Sequence, residues 1–328
     1  RLQDRSSSQS SSCSEVCPIE IPNYYDMGIG MVPAAFSPFP QAVPLVERID
    51  KDYCMECHLC DKACERGAID HDQQPEEIEL KVGTIIAATG YDPFDPSGIY
   101  QYGYGRYDNV ITGMEIERMI NASGPTQGHV MMPSNGETPK RVAFIHCVGS
   151  RDEQIGKPYC SRVCCMYSMK NAQLCIDHEA DTEVTCYYMD IRAFGKGFEE
   201  FYQQAKGMGV NFVKGKIGRI TEKEGGNLIL RYEDINEGKL QEAEHDMVIL
   251  STGVLPNKGI DKFFENETLA LDEFSFVGQS DLLASPSKTS IKGVFVAGTA
   301  TGPMDIPDSI LSAGSASSEA ISYLVQHP

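Results

Sequence analysis

Four cysteines are spaced Cys147-x12-Cys160-x3-Cys164-Cys165, at a point in the chain where a nucleotide-binding fold keeps its glycine loop. Thiolates are soft ligands, and a set of four suits an iron–sulfur cluster. The run Arg141–His146 predicts a strand, and Ser161–His178 predicts the helix that follows it. In a dinucleotide-binding βαβ unit this junction carries G-x-G-x-x-G, so that backbone amides and the helix N-terminus reach the pyrophosphate. Here the junction offers Gly149 and thiols. The expectation is a nucleotide-domain frame in which Cys147, Cys160, Cys164 and Cys165 hold an iron–sulfur cluster.

A second group, Cys54-x2-Cys57-x2-Cys60-x3-Cys64, has ferredoxin spacing. Two-residue gaps let three thiolates wrap one cubane while the fourth reaches a second cluster. A zinc site, the rival, separates two such pairs by a longer loop. Upstream, Cys13-x3-Cys17-Pro18 reads as the second half of another such motif. In the crossed arrangement Cys17 completes the cluster of Cys54, Cys57 and Cys60. Cys13 and Cys64 then belong to a different cluster, whose remaining ligands fall near Ser7 and Ser10. Two complete clusters and a third, incomplete one are expected. The segment Ile19–Pro44, with Phe36-Ser37-Pro38-Phe39-Pro40 at its centre, is expected to shield the cluster or to be an ordinary loop.

Three apolar runs end in small residues: Val82–Ala87 before Ala88-Thr89-Gly90, Asp246–Leu250 before Ser251-Thr252-Gly253, and Gly293–Val296 before Ala297-Gly298-Thr299. A helix is predicted from about Pro307 to Leu324, capped by Asp308 or Ser309. Two strand-plus-Thr-Gly segments bracketing a βαβ unit, closed by an Ala-Gly turn and a helix, resemble flavoproteins of the thioredoxin reductase type. The resemblance implies an α/β fold with a two-dinucleotide-domain frame, to which the cysteine motif at 54–64 adds an inserted ferredoxin-like α+β module. It assigns FAD contacts to Thr89, Gly90, Gly298, Thr299, Asp305, Ile306, Pro307 and Ser309. The expected divisions are a disordered linker at 1–12, a ferredoxin-like module at 13–80, an FAD-domain segment at 81–137, a cluster-holding unit at 138–255 and a C-terminal FAD segment at 256–328.

More specifically, the chain resembles the A subunit of heterodisulfide reductase. The likeness is carried by Phe39–Pro44, Ala88–Phe94, Cys147–Asp152, Tyr159–Cys165, Asp190–Gly197 and Gly302–Ser309, over nearly the whole chain from Cys13. It implies an unusual 4Fe-4S cluster beside FAD, electron transfer between flavin and clusters, and flavin-based electron bifurcation. It also implies partners: other reductase subunits with a hydrogenase, formate dehydrogenase or ferredoxin-type electron partner. Against the family pattern the N-terminal Rossmann half, two cysteines of the insert and a further C-terminal ferredoxin region have no counterpart, which reads as a fragment or a split subunit. The alternatives are an NAD(P)H-dependent flavoprotein like the small subunit of glutamate synthase, which needs a glycine fingerprint near 147–152, and a flavin-less electron-relay scaffold.

The chain has 328 residues, 12 cysteines and a formal net charge of −19. Such a charge opposes binding to nucleic acid or an anionic membrane surface. No apolar run reaches the ~18 residues of a membrane span and no signal peptide opens the chain, so the expected location is cytoplasmic. Cys175 and Cys186 are expected to be small buried apolar groups. His146 could donate to a ligand sulfur, and His58 is expected at the surface, the histidines forming no pair at metal-binding spacing. Arg151, Arg162 and Lys170 could add positive charge near the quartet. Arg192 and Lys196 stand where NADP-binding relatives place basic residues, a role not assigned without the glycine loop.

Overall fold

The computed structural model describes residues 12–264 and 266–327. Ser7, Ser10 and nearly all of the expected linker lie outside them. The first unit is small. Helix α1 (Ser12–Val16) is followed by the hairpin of β1 (Glu20–Pro22) with β2 (Met31–Pro33), the pair β3 (Ala35–Phe36) with β4 (Arg48–Ile49), and helix α2 (Leu59–Ala63). Helices α1 and α2 pack together, and Ile21, Ala34 and Phe36 form its buried centre.

The chain then makes β5 (Ile85–Ala87), β6 (Tyr91–Pro93), β7 (Val110–Thr112) and α3 (Gly113–Ile120). Strand β8 (Arg141–Val148), helix α4 (Cys164–His178), β9 (Glu183–Tyr188), helix α5 (Phe198–Gly207) and β10 (Asn211–Glu222) follow. Next come β11 (Leu228–Asp234), β12 (Lys239–His245), β13 (Met247–Thr252), β14 (Val254–Pro256), β15 (Val294–Val296) and helix α6 (Ile306–Gln326).

One seven-stranded sheet runs β12-β11-β10-β9-β8-β13-β7. Strands β7, β13, β8, β9 and the start of β10 are parallel, as right-handed crossovers through helices produce. Beyond Lys214, strand β10 changes partner and pairs antiparallel with β11, with a register shift between Ile217 and Arg219. Alternation along the strands divides the core in two. Val142, Phe144, Met247 and Ile249 face α3, α4 and α5 through Ile116, Met119, Ala172 and Ala205. Ala143, Ile145, Val248 and Leu250 face Ile217, Ile220, Leu228 and Leu230 of the antiparallel strands. The result is three layers over the parallel strands.

The second α/β unit is smaller: β15 lies parallel to β5, and α6 packs on them through Phe295, Ala297, Ala316 and Ala320. Strands β6 and β14 pair antiparallel and link the two units. The fold is therefore mixed α/β with two such units and a cysteine-rich α+β insertion. One expected division moves. Strand β7 pairs with β13 and α3 packs on α4, so the large unit begins well before residue 138. Parallel pairing of distant segments leaves no local signal, which is why sequence alone puts the boundary elsewhere.

Candidate redox centres and the adjoining cavity

Strand β8 carries Cys147 to the sheet edge, where its backbone turns left-handed (φ 60°). Arg151 and Arg162 share that conformation, at 58° and 62°. A loop of this shape returns the chain so that Cys164 and Cys165 open α4, whose N-cap, Val163, supplies no side-chain cap. The amides of that first turn and the helix dipole favour negative charge on both sulfurs. The Cys164 thiol lies beside Cys147 and Cys165, whose proximity raises its pKa well above the usual thiol value. The same contact lowers Cys147 to about 7 and, against the opposing effect of burial, Cys165 to about 4. Cys160 sits just before the helix and accepts the Arg162 amide at 3.3 Å. All four are free thiols.

Gly149, the remnant of a glycine loop, has φ +74° and faces Phe94. A Cβ there would lie 2.1 Å from the Phe94 ring, and residues 145–152 line a second cavity of about 510 Å³ together with Tyr187, Tyr188 and Ile217.

His146 is 7% exposed, and neither ring nitrogen has a hydrogen-bond partner of good geometry. Burial lowers its pKa, but the neighbouring Cys165 and Cys186 thiols more than offset that and hold it near 10. Cys175 and Cys186 are fully buried among apolar side chains, and burial pushes the Cys175 thiol up to about 12. The basic residues are engaged: Arg151 with Asp190 at 2.6 Å, Lys170 with Glu117, and Arg192 with Asp190 at 3.3 Å.

In the cysteine-rich unit, Cys17, Cys54, Cys57 and Cys60 line one small cavity with Ile19, Ala34, Ala35 and Ile49. The crossed set thus shares one space, and Cys13 and Cys64 lie on the packed pair α1 and α2. The segment Ile19–Pro44 reaches the cysteines through Ile19, Ala34 and Ala35, while its aromatic centre lies elsewhere. Phe36 is in the unit's own core, while Pro38, Phe39 and Pro40 face Arg118 and Pro125 of the large unit. The histidines differ from expectation: His58 and His71 meet on Asp61, at 2.7 and 2.8 Å, and His71 Nε2 lies 3.8 Å from Cys60 Sγ. Their separation in sequence hid this, because a loop brings them together.

Between the large unit and α6 lies a cavity of about 670 Å³. Thr299, Asp305, Ile306, Pro307 and Ser309 line it from one side, and Arg162, Met166, Tyr167 and Phe198 from the other. Thr89, Gly90 and Gly298 do not line it; they stand at the ends of β5 and β15, and the Gly298 amide is taken by Ser312 Oγ at 3.0 Å. The helix cap is Asp305, whose Oδ1 accepts the Asp308 amide at 2.9 Å, in place of the expected Asp308 or Ser309. Arg162 spans both sides, reaching the Pro303 carbonyl at 3.3 Å and the Asp308 carboxylate at 2.5 Å. Among the described residues no helix is long and apolar enough to cross a membrane.

No family model matches the chain. It is 58% identical over 316 residues to the A subunit of the H(2):CoB-CoM heterodisulfide,ferredoxin reductase of Methanothermobacter thermautotrophicus, covering 96% of this chain and 48% of that protein. It is 52% identical over 309 residues to the iron-sulfur A subunit of the CoB–CoM heterodisulfide reductase of Methanocaldococcus jannaschii, covering 94% and 47%. With the A subunit of the H(2)/formate:CoB-CoM heterodisulfide,ferredoxin reductase of Methanococcus maripaludis the figures are 49% over 313 residues, 94% and 48%. The chain spans about half the length of these relatives. Among solved structures, thioredoxin reductase from T. acidophilum superposes with a TM-score of 0.46 at 16% identity, covering 75% of this chain and 66% of that one.

Proposed function

Because the chain belongs to the family of heterodisulfide reductase A subunits over about half of its members' length, we propose that it is an iron–sulfur flavoprotein segment that passes electrons between FAD and 4Fe-4S clusters in such a reductase. One cluster is assigned to Cys147, Cys160, Cys164 and Cys165, and a second to Cys17, Cys54, Cys57 and Cys60. Cys13 and Cys64 are assigned to a third. The reading extends to bifurcation of electron pairs and to hydrogenase, formate dehydrogenase or ferredoxin-type partners. The observation that carries it is the gathering of Cys147 at the end of β8 with Cys160, Cys164 and Cys165 at the start of α4, all four of them free thiols.

The donor sets fit these groups. Four free thiols surround one small apolar cavity in the insertion. The quartet lies beside an imidazole with no good acceptor of its own. For FAD, the cavity at the α6 N-terminus offers apolar walls with few polar groups, as cofactor sites do. When bound, a flavin supplies paired-electron chemistry and a cluster single-electron transfer, so their juxtaposition converts one into the other. The chain's part is to fix distance and field. Arg162 ties the cysteine loop to α6 through Asp308, holding the two sites in register. The open first turn of α4 favours the more negative state of what Cys164 and Cys165 hold, and raises its potential.

Iron, sulfide and flavin analysis of anaerobically prepared protein, with EPR after reduction, tests this. Two 4Fe-4S signals are expected, with FAD retained by the chain or by the chain plus a partner polypeptide. Bound NAD(H) with no iron at the quartet would overturn it.

A further inference from the structure

Among the described residues His146 is the one buried imidazole beside the quartet, and it is poorly explained as a core residue. Its backbone lies in β8, directly before Cys147, and its ring points to the helix side of the sheet, between α4 and β9. In either protonation state the ring carries an N–H that needs an acceptor, and burying it without a partner is costly. The sulfurs of Cys165 on α4 and Cys186 on β9 lie beside the ring, and the Cys165 thiol itself is directed at the Asp190 carbonyl at 3.8 Å. A protonated thiol is a poor acceptor, whereas a metal-bound thiolate is a good one. The donor's partner therefore exists only when Cys165 is a ligand.

We propose that His146 donates an N–H···S hydrogen bond to the Cys165 sulfur of the quartet cluster and thereby raises its reduction potential. Residues that bond to ligand atoms orient them and tune the metal. A hydrogen bond to a ligand sulfur stabilises negative charge, and the reduced cluster carries more of it, so the bond favours reduction. His71 in the insertion supplies a contrast. It lies 3.8 Å from Cys60 Sγ, but its Nε2 is already within 2.8 Å of Asp61. Neither ring nitrogen of His146 has an oxygen partner among the described residues, so no carboxylate or carbonyl competes for its donor. His146 acts as a positioning residue, not a catalytic one.

The inference rests on the proposed ligand set, and one experiment separates the two. Anaerobically prepared full chain, labelled with 15N-histidine, is reduced and studied by pulsed EPR. The quartet signal is identified as the one that Cys164→Ala abolishes. The expected result is a weak 15N coupling on that signal, lost in His146→Leu. Redox titration of His146→Leu should show a reduced-to-oxidised ratio about tenfold lower at a given poise, equivalent to about 59 mV for one electron. His146→Gln, which keeps an N–H donor, should recover part of the shift. A quartet signal without 15N coupling in the wild-type protein overturns the inference and leaves the ligand assignment standing; this readout does not depend on any His146 variant folding. No signal sensitive to Cys164→Ala overturns both.

Discussion

Replacing Gly149 by Ala tests whether the glycine loop has become a packing site. The residue has φ +74°, and left-handed backbone costs a non-glycine residue about 1–2 kcal/mol. The new Cβ would meet Phe94 Cγ, Cδ1 and Cδ2 at 2.1, 2.2 and 2.6 Å. Phe94 cannot simply retreat, because its amide is bonded to the Gly253 carbonyl at 2.9 Å and its ring packs on the Ile145 and Leu250 core. Forcing extra volume into such a site costs about 1–3 kcal/mol more. Gly149→Ala should therefore destabilise by roughly 2–5 kcal/mol in all. In a Phe94→Ala background only the backbone part, about 1–2 kcal/mol, should remain. Urea titrations of the four proteins of this cycle, followed by far-UV circular dichroism and by cluster absorbance, supply the comparison. A cost below about 0.5 kcal/mol, or one unchanged by removing the Phe94 ring, would refute the reasoning.

Other consequences are open to measurement. His245 is buried, bonded to Tyr187 Oη at 3.0 Å, and burial lowers its pKa from 6.5 to about 4. The unfolded chain then binds the proton first, so stability falls as pH drops below 6.5. The loss is roughly 2 kcal/mol between about pH 7 and 5, and the difference between wild type and His245→Phe in paired denaturation curves should show it. Arg162→Met should leave global stability within about 1 kcal/mol, since both partners of the Asp308 pair are over a third exposed. Amide exchange across Asp305–Ser309 should nevertheless quicken several-fold, as the tie to the cysteine loop is cut. Cys175→Ala should cost about 1 kcal/mol, measured by thermal melting, with iron content unchanged, because that thiol packs in the helix-side core.

Much of this architecture is legible in residue types at short range. The cysteine groups at 54–64 and 147–165 stand out by their spacing, and the structure gathers Cys17, Cys54, Cys57 and Cys60 around one cavity. Strands β8, β13 and β15 are visible as apolar runs ending in small residues. What escaped depends on distant pairing. Strand β7 and helix α3 join the large sheet through β13, more than a hundred residues away. Phe94 plugs the Gly149 turn from another strand, and Asp61 gathers His58 and His71 across a loop. The cap of α6 fell to Asp305, not to Asp308 or Ser309, because the capping side chain belongs to the extended residue before the helix. Which residues of the segment Ile19–Pro44 line the cysteines is not legible for a similar reason, and Phe39 and Pro40 lie away from them. Their apolar surface is turned toward the Pro125 loop, while Ala34, Ala35 and Ile49 line the cysteine cavity.

The claim that thiolates took over a coenzyme junction is tested most directly by counting iron in the Cys164→Ala protein beside the wild type, both prepared without oxygen. The variant should contain about four fewer iron and about four fewer sulfide per chain, with the signal of the insertion's cluster intact. Equal iron in the two proteins, with the same EPR spectrum, would contradict the account.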